Sequence, residues 1–261
     1  MMRPMPEKAE EKDQTEVPNG CWPDPEAALF ARMRWNVPLS AAHAELLLDR
    51  LNLAPGQAVT DLGCGWGELL LDAVARAGDG AAGTGVDTDD PPGALARARD
   101  QAARRELNAR FIQADATGWR EPADRMLCTG AAHAYGGTAA ALRALAASVP
   151  AGGRLLFGDG FWAQTPSPAA VDLFGEHTMP LPGLMEACRA AGWRVIHLST
   201  ASQLEWDDFE STFRAGRQEW LLANPDHPRA AEIRDWIDAR ERQYLSVYRE
   251  VLGFAYLVLA H

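Results

Sequence analysis

The sequence predicts an α/β fold: a mostly parallel sheet flanked by helices, with a helical insertion before the last strand. Three observations carry this expectation. Short apolar runs alternate with stretches of helical period from Ala58 to Ser199, the pattern of successive β-α units. The first run, Ala58 to Leu62, breaks into a glycine-rich turn, Gly63-Cys64-Gly65-Trp66-Gly67, and restarts as a helix at Glu68 that carries Leu69, Leu70 and Leu71 toward a core. Finally, about fifty residues of helical spacing separate the strand ending at Ser199 from a last strand, Phe254 to Ala260.

The chain of 261 residues is long enough for one such domain with an elaboration. Its net charge of −11 disfavours a nucleic-acid partner, which needs a basic track to neutralise phosphates. The arginines Arg97, Arg99, Arg104, Arg105 and Arg110 alternate with Asp100 and Glu106 and read as a solvated helix face. Cys21, Cys64, Cys128 and Cys188 have neither C-x-x-C spacing nor a signal peptide near them, so they are expected as free thiols in a reducing cytoplasm, and no metal cluster is expected. No apolar run approaches the roughly 20 residues that span a bilayer.

Taken in order, residues 1–20 have the composition of a mobile tail. From Pro25 the period is helical through Leu29, Phe30 and Met33, until Pro38 stops it. Ser40 is a good N-cap for a helix from Ala41 to Leu51, and Pro55-Gly56 turns the chain into the first strand. Gly83 to Asp87 reads as the second strand, Gly93 to Leu107 as a helix, Arg110 to Ala114 as the third strand and Arg125 to Thr129 as the fourth. A helix from Thr138 to Ser148 leads through Pro150-Ala151-Gly152-Gly153 to a fifth strand, Arg154 to Phe157. A helix from Pro182 to Ala191 and a strand from Trp193 to Ser199 complete the regular part.

The glycine spacing discriminates between ligands. A dinucleotide fingerprint runs G-x-G-x-x-G, whereas here Gly67 comes one residue early, giving Asp61-x-Gly63-x-Gly65-x-Gly67. With an acidic residue opening it, this pattern resembles the first motif of the class I S-adenosylmethionine-dependent methyltransferases, and later segments at matching distances extend the likeness. The resemblance implies a Rossmann-like, seven-stranded sheet of order 3-2-1-4-5-7-6, with S-adenosylmethionine as cofactor and S-adenosylhomocysteine as product. It sets Asp61, Gly63, Cys64, Gly65 and Gly67 against the cofactor, Asp87 with Thr88 on the ribose, Asp115 with Ala116 on the adenine, and Thr129 at the end of strand four. Asp87 alternatively reads as a helix cap, Cys64 as a small filler, Asp89 as a second pocket carboxylate, and Trp119 as either a cover for the ring or simple packing.

Ligands of doubly wound sheets gather at the carboxyl ends of the strands, which singles out two more glycine-flanked loops. Gly130 to Gly137 offers His133 and Tyr135 as reactive candidates. Imidazole titrates near about 6.5, so His133 suits a general base, with hydrogen bonding to backbone or cofactor as the even alternative. Gly158-Asp159-Gly160-Phe161-Trp162 offers a carboxylate and two aromatics for a cationic or hydrogen-bonding acceptor with an apolar body, joined by Trp35 and Trp220. In the insertion, residues 203–253, Trp206, Phe209, Phe213, Gly216 and Trp220 recur at helical spacing, as do Ile233, Trp236, Ile237, Tyr244, Tyr248 and Leu252. That stripe is expected to bury itself as a cap on the acceptor side of the sheet or as a dimer interface, in a monomer or homodimer.

The expected activity is methyl transfer to a nitrogen, oxygen or carbon of a small-molecule acceptor, with no nucleic-acid or membrane partner. A protein or RNA methyltransferase and a non-catalytic S-adenosylmethionine binder are the alternatives, and a nicotinamide dehydrogenase is opposed by the glycine spacing.

Overall fold

The structure is a computed structural model that describes residues 24–261; the tail expected over residues 1–20, and Cys21, lie outside the described residues. In chain order the elements are α1 (Pro25–Ala28), α2 (Ala41–Leu51), β1 (Ala58–Leu62), α3 (Glu68–Ala77), β2 (Ala82–Asp87), α4 (Ala94–Arg104), β3 (Ala109–Gln113) and β4 (Arg125–Thr129). They continue with α5 (Thr138–Ala146), β5 (Arg154–Trp162), α6 (Pro168–Phe174), α7 (Leu181–Ala190), β6 (Arg194–Thr200), α8 (Gln203–Ala223), α9 (Ala230–Gln243), a π-helical turn (Tyr244–Tyr248) and β7 (Leu252–Ala260).

The strands form one sheet of order β3-β2-β1-β4-β5-β7-β6. Strands β1 to β5 pair in parallel, while β7 is antiparallel to both β5 and β6. Alternation along each strand divides the apolar residues between two cores. Leu127, Leu156, Tyr256 and Val258 pack with α2, α3 and α4, whereas Met126, Cys128, Leu155, Phe157 and Leu257 pack with α5 and α7. The strand order reverses between β1 and β4, which opens a crevice beyond their carboxyl ends.

Three local differences from the sequence expectation bear on function. Strand β5 does not end at Phe157, because β7 pairs with it residue by residue as far as Trp162↔Leu252. The helix expected from Pro25 until Pro38 stops it is a single turn, capped by the Asp24 carboxylate. The carbonyls that would have continued it serve elsewhere: Met33 O accepts from Arg97 (2.5 Å), Arg34 O from Trp66 Nε1 (2.5 Å) and Pro38 O from Tyr256 Oη (2.9 Å). Arg97 is therefore not on a solvated face; its guanidinium also lies 4.6 Å from the Trp66 ring centroid. Helix α6 was not anticipated, although Ser167, which caps it, and Pro168 form a usual helix start.

The described chain divides into two compact units, residues 33–211 with 240–261 and residues 24–32 with 212–239. The second unit has its own interior of Ala28, Trp220, Ile233 and Ile237. There Gly216 admits the Ala28 carbonyl so closely that a Cβ would collide with it. The aromatic stripe of α8 is thus shared: Trp206 belongs to the first unit's core, whereas Phe213 packs on Phe30 and Trp236 in the second. Within the first unit, Glu205 anchors the start of α8, accepting from Ser202 N at 2.7 Å and from Ser40 N at 2.9 Å.

Candidate functional site

Two cavities meet at the carboxyl edge of the sheet. The first is floored by the turn between β1 and α3, and its three glycines differ in what surrounds them. A Cβ on Gly63 would collide with the Ala131 methyl, and one on Gly67 would lie 2.5 Å from the Phe111 ring. Around Gly65, at φ +52°, there is open space, and its N–H donates to Asp87 Oδ2 at 2.8 Å. Asp87 Oδ1 accepts from Asp89 N at 2.9 Å, so each carboxylate oxygen keeps a second lone pair.

Asp61, next to last in β1, is a buried carboxyl whose Oδ1 has no hydrogen-bond partner among the described residues. Burial, reinforced by the charge of Asp87, pushes its pKa up to about 7. Asp115 caps the 3₁₀ turn after β3: its Oδ1 accepts from Thr117 Oγ1 (2.7 Å) and Thr117 N (2.8 Å), and these bonds hold it below the usual carboxylate range. The segment Arg34–Val37 lines the same cavity. Within it, Trp35 Nε1, like Asp61 Oδ1, is buried without a hydrogen-bond partner among the described residues.

The second cavity shares Asn36, Val37, Gly130 and His133 with the first. Its walls include Phe174, Trp206, Phe209 and Phe254, and its polar groups include Thr138, Asp159 and His177. Asp159 Oδ2 accepts from Thr138 Oγ1 at 2.5 Å and Oδ1 from its neighbour Gly160 N at 2.9 Å. Burial raises its pKa; these two bonds and the nearby His177 and His133 pull it back in part.

Residues 59–153 match the family described as a methyltransferase domain. The uncharacterized protein YjhP of Escherichia coli K12 is 32% identical over 216 residues, which cover 80% of this chain and 86% of YjhP. A SAM-dependent methyltransferase from Geobacter sulfurreducens, solved in complex with S-adenosyl-L-homocysteine, superposes with a TM-score of 0.79 at 29% identity, covering 90% of this chain and 96% of that one. Its counterpart from Thiobacillus denitrificans, also with S-adenosyl-L-homocysteine, gives 0.78 at 29% identity over 91% and 98%. The chain belongs to the class I S-adenosylmethionine-dependent methyltransferases. Its sheet has that fold's strand order, and S-adenosylmethionine is its cofactor.

All ten residues expected around the cofactor of this methyltransferase line the first cavity: Asp61, Gly63, Cys64, Gly65, Gly67, Asp87, Thr88, Asp115, Ala116 and Thr129. The neighbouring expectations fare differently. Asp89 turns away to cap α4, accepting from Leu95 N at 2.8 Å, and Asp90 lines the cavity in its place. Trp119 donates to Glu121 O and packs into the sheet's second core.

Of the reactive candidates, His133 lines both cavities. Tyr135 lines neither; its hydroxyl donates to Ala116 O at 3.2 Å and so ties its loop to the segment after β3. Of the expected acceptor residues, Asp159 lines the second cavity, and Trp35 lines the first. Phe161 and Trp162 do not line either, because the extended β5 turns them into packing: Phe161 closes on Gly253 and Trp162 on Phe174. Trp220 lies in the interior of the other unit.

The residues that sequence reasoning missed are His177, Thr138 and Phe174. The Ser167-Pro168 start of α6, just past the carboxyl end of β5, was the available signal for the last of these and, by continuation, for His177. Among the described residues there is no metal-ligand cluster, and no helix is long and apolar enough to cross a membrane. Cys64, Cys128 and Cys188 are free thiols.

Proposed function

We propose that this methyltransferase moves a methyl group to a nitrogen, oxygen or carbon of a small molecule held in the second cavity, releasing S-adenosylhomocysteine. The observation that carries this reading is the shared wall of Asn36, Val37, Gly130 and His133, which makes the two cavities neighbours at one junction. Bound in the first cavity, S-adenosylmethionine supplies an electrophilic methyl on a sulfonium sulfur.

The cavity fits that group. The unmet Asp61 Oδ1 and Trp35 Nε1 are the acceptor and donor that an α-ammonium and an α-carboxylate require. Asp87 would accept from the ribose hydroxyls with its spare lone pairs, and Asp115 from the adenine amine with the oxygen that its cap leaves free. Open space at Gly65 lets a ligand lie against the backbone. His133 would take a proton from the acceptor, and Tyr135 would keep the His133 loop in position from outside the cavities. The aromatic wall contributed by Trp206 and Phe209 supports a role for the start of the insertion as a cap that excludes water. Holding both reactants in register is worth on the order of 7–11 kcal/mol of barrier, so a base adds to catalysis without being essential to it. The free thiols are consistent with a cytoplasmic enzyme.

Calorimetric titration with S-adenosylhomocysteine, with NAD as control, tests the cofactor half of this reading. Binding of the former alone, weakened at least tenfold in Asp87→Ala, is expected. Equal affinity in the variant would remove Asp87 from the ribose.

A further inference from the structure

The second cavity holds a combination that restricts what it can take. Its one carboxylate among the described residues, Asp159, is half-buried one residue past the last pair of β5 with β4 and opposite Ala255 of β7. Both of its hydrogen bonds come from neutral donors, Thr138 Oγ1 and Gly160 N. Among the described residues that line the cavity none is Lys or Arg, and the only cationic-capable neighbours are His133 and His177. A carboxylate withdrawn from water needs a countercharge or further donors, and the protein supplies no permanent one here. Four aromatic side chains, Phe174, Trp206, Phe209 and Phe254, also line the cavity, and the faces of such rings attract cations and repel anions.

We propose that the acceptor is a primary or secondary amine on an apolar body, bound as its ammonium with the charged nitrogen on Asp159 and methylated at that nitrogen. The inference rests on the reading of the second cavity as the acceptor site. A neutral hydroxyl would offer Asp159 a single donor and no charge, and an anionic acceptor would meet a carboxylate and ring faces of the same sign. An ammonium offers two or three donors, a full positive charge and a good fit to the ring faces.

The proposed step balances with the groups at the junction. The ammonium gives one proton to the His133 imidazole, which frees the nitrogen lone pair. That lone pair forms the N–C bond while the S–C bond breaks with its electrons left on sulfur, so the positive charge passes from sulfur to the N-methylammonium. The proton leaves His133 for water at the exposed side of the ring. Asp159 stays ionised throughout and holds first the substrate ammonium and then the product.

The test uses the full chain saturated with S-adenosylhomocysteine and titrated calorimetrically with matched pairs: 2-phenylethylamine against 2-phenylethanol, and tryptamine against tryptophol. Each amine is expected to bind at least tenfold more tightly than its alcohol. Asp159→Asn is expected to bring that ratio close to one while its affinity for S-adenosylhomocysteine, which also reports folding, is unchanged. Labelled methyl from S-adenosylmethionine should appear on the amine nitrogen. Alcohols binding as tightly as amines, the same ratio in Asp159→Asn, or no amine binding by protein that binds S-adenosylhomocysteine would each overturn the inference. The wild-type pairs decide it even if the variant does not fold. Failure of S-adenosylhomocysteine itself to bind would instead strike the two-cavity reading on which the inference rests.

Discussion

Replacing Gly65 and Gly67 separately by alanine should separate binding from folding within one five-residue turn. Both glycines have positive φ, +52° and +75°, so each substitution carries the left-handed cost of about 1–2 kcal/mol, offset by up to about 1 kcal/mol through the stiffer unfolded chain. The surroundings then diverge. At Gly67 the new methyl would lie 2.5 and 2.8 Å from two Phe111 ring atoms and 3.2 Å from the Ala98 methyl, all in a packed core. Overpacking of this kind costs about 1–3 kcal/mol more. At Gly65 no atom lies within 4 Å, so the fold tolerates the methyl, but the methyl would occupy the floor of the first cavity, where the proposed reading puts the cofactor. Gly67→Ala should therefore lose roughly 1–5 kcal/mol, a fall in Tm of about 2–20 °C, and bind S-adenosylhomocysteine normally where it is folded. Gly65→Ala should melt within about 8 °C of the parent and bind at least tenfold more weakly. Differential scanning fluorimetry and calorimetry on the same preparations give both readouts. A Gly65→Ala variant with parental affinity, or one destabilised as much as Gly67→Ala, would refute the reasoning.

Two further outcomes follow from the buried carboxylates. The Asp61 carboxyl is held in its protonated form by burial up to about pH 7, so its contribution to stability is full below the ordinary carboxylate range and is lost as pH rises through about 7. That loss amounts to roughly 4 kcal/mol. Asp61→Asn should flatten the fall in chemical-denaturation midpoint between pH 4 and pH 8, and an unchanged slope would show that another group governs it. Glu210, fully buried, accepts from Arg240 at 3.0 and 2.8 Å and from Tyr248 Oη at 2.6 Å. Glu210→Ala removes these three bonds and should cost about 3–5 kcal/mol in urea unfolding; a loss under about 1 kcal/mol would mean that the network stabilises little.

The first cavity was legible in the sequence because it is local. Asp61, the three glycines, Asp87 and Asp115 each stand at a strand end that β-α alternation identifies, and a parallel sheet brings all strand ends to one edge. The residues that the glycine motif and the family resemblance picked out at those ends therefore line one cavity. Of the second cavity only His133 and Asp159 were legible, because the rest depends on pairings distant in sequence. Whether Phe161 and Trp162 form a loop or a strand is decided by β7, ninety residues later, whose nine-residue pairing with β5 turns both aromatics into packing. The fates of Trp206 and Trp220, on one helix and alike in period, diverge because only the tertiary contacts divide that helix between two cores. His177 acquires its place beside Asp159 through packing over Gly137 and Gly175, a contact that no spacing encodes. Backbone-dictated turns and strand ends are thus written in short motifs. The chemistry of the second cavity comes from side chains brought together across the fold, and only the tertiary structure decides which of them face it.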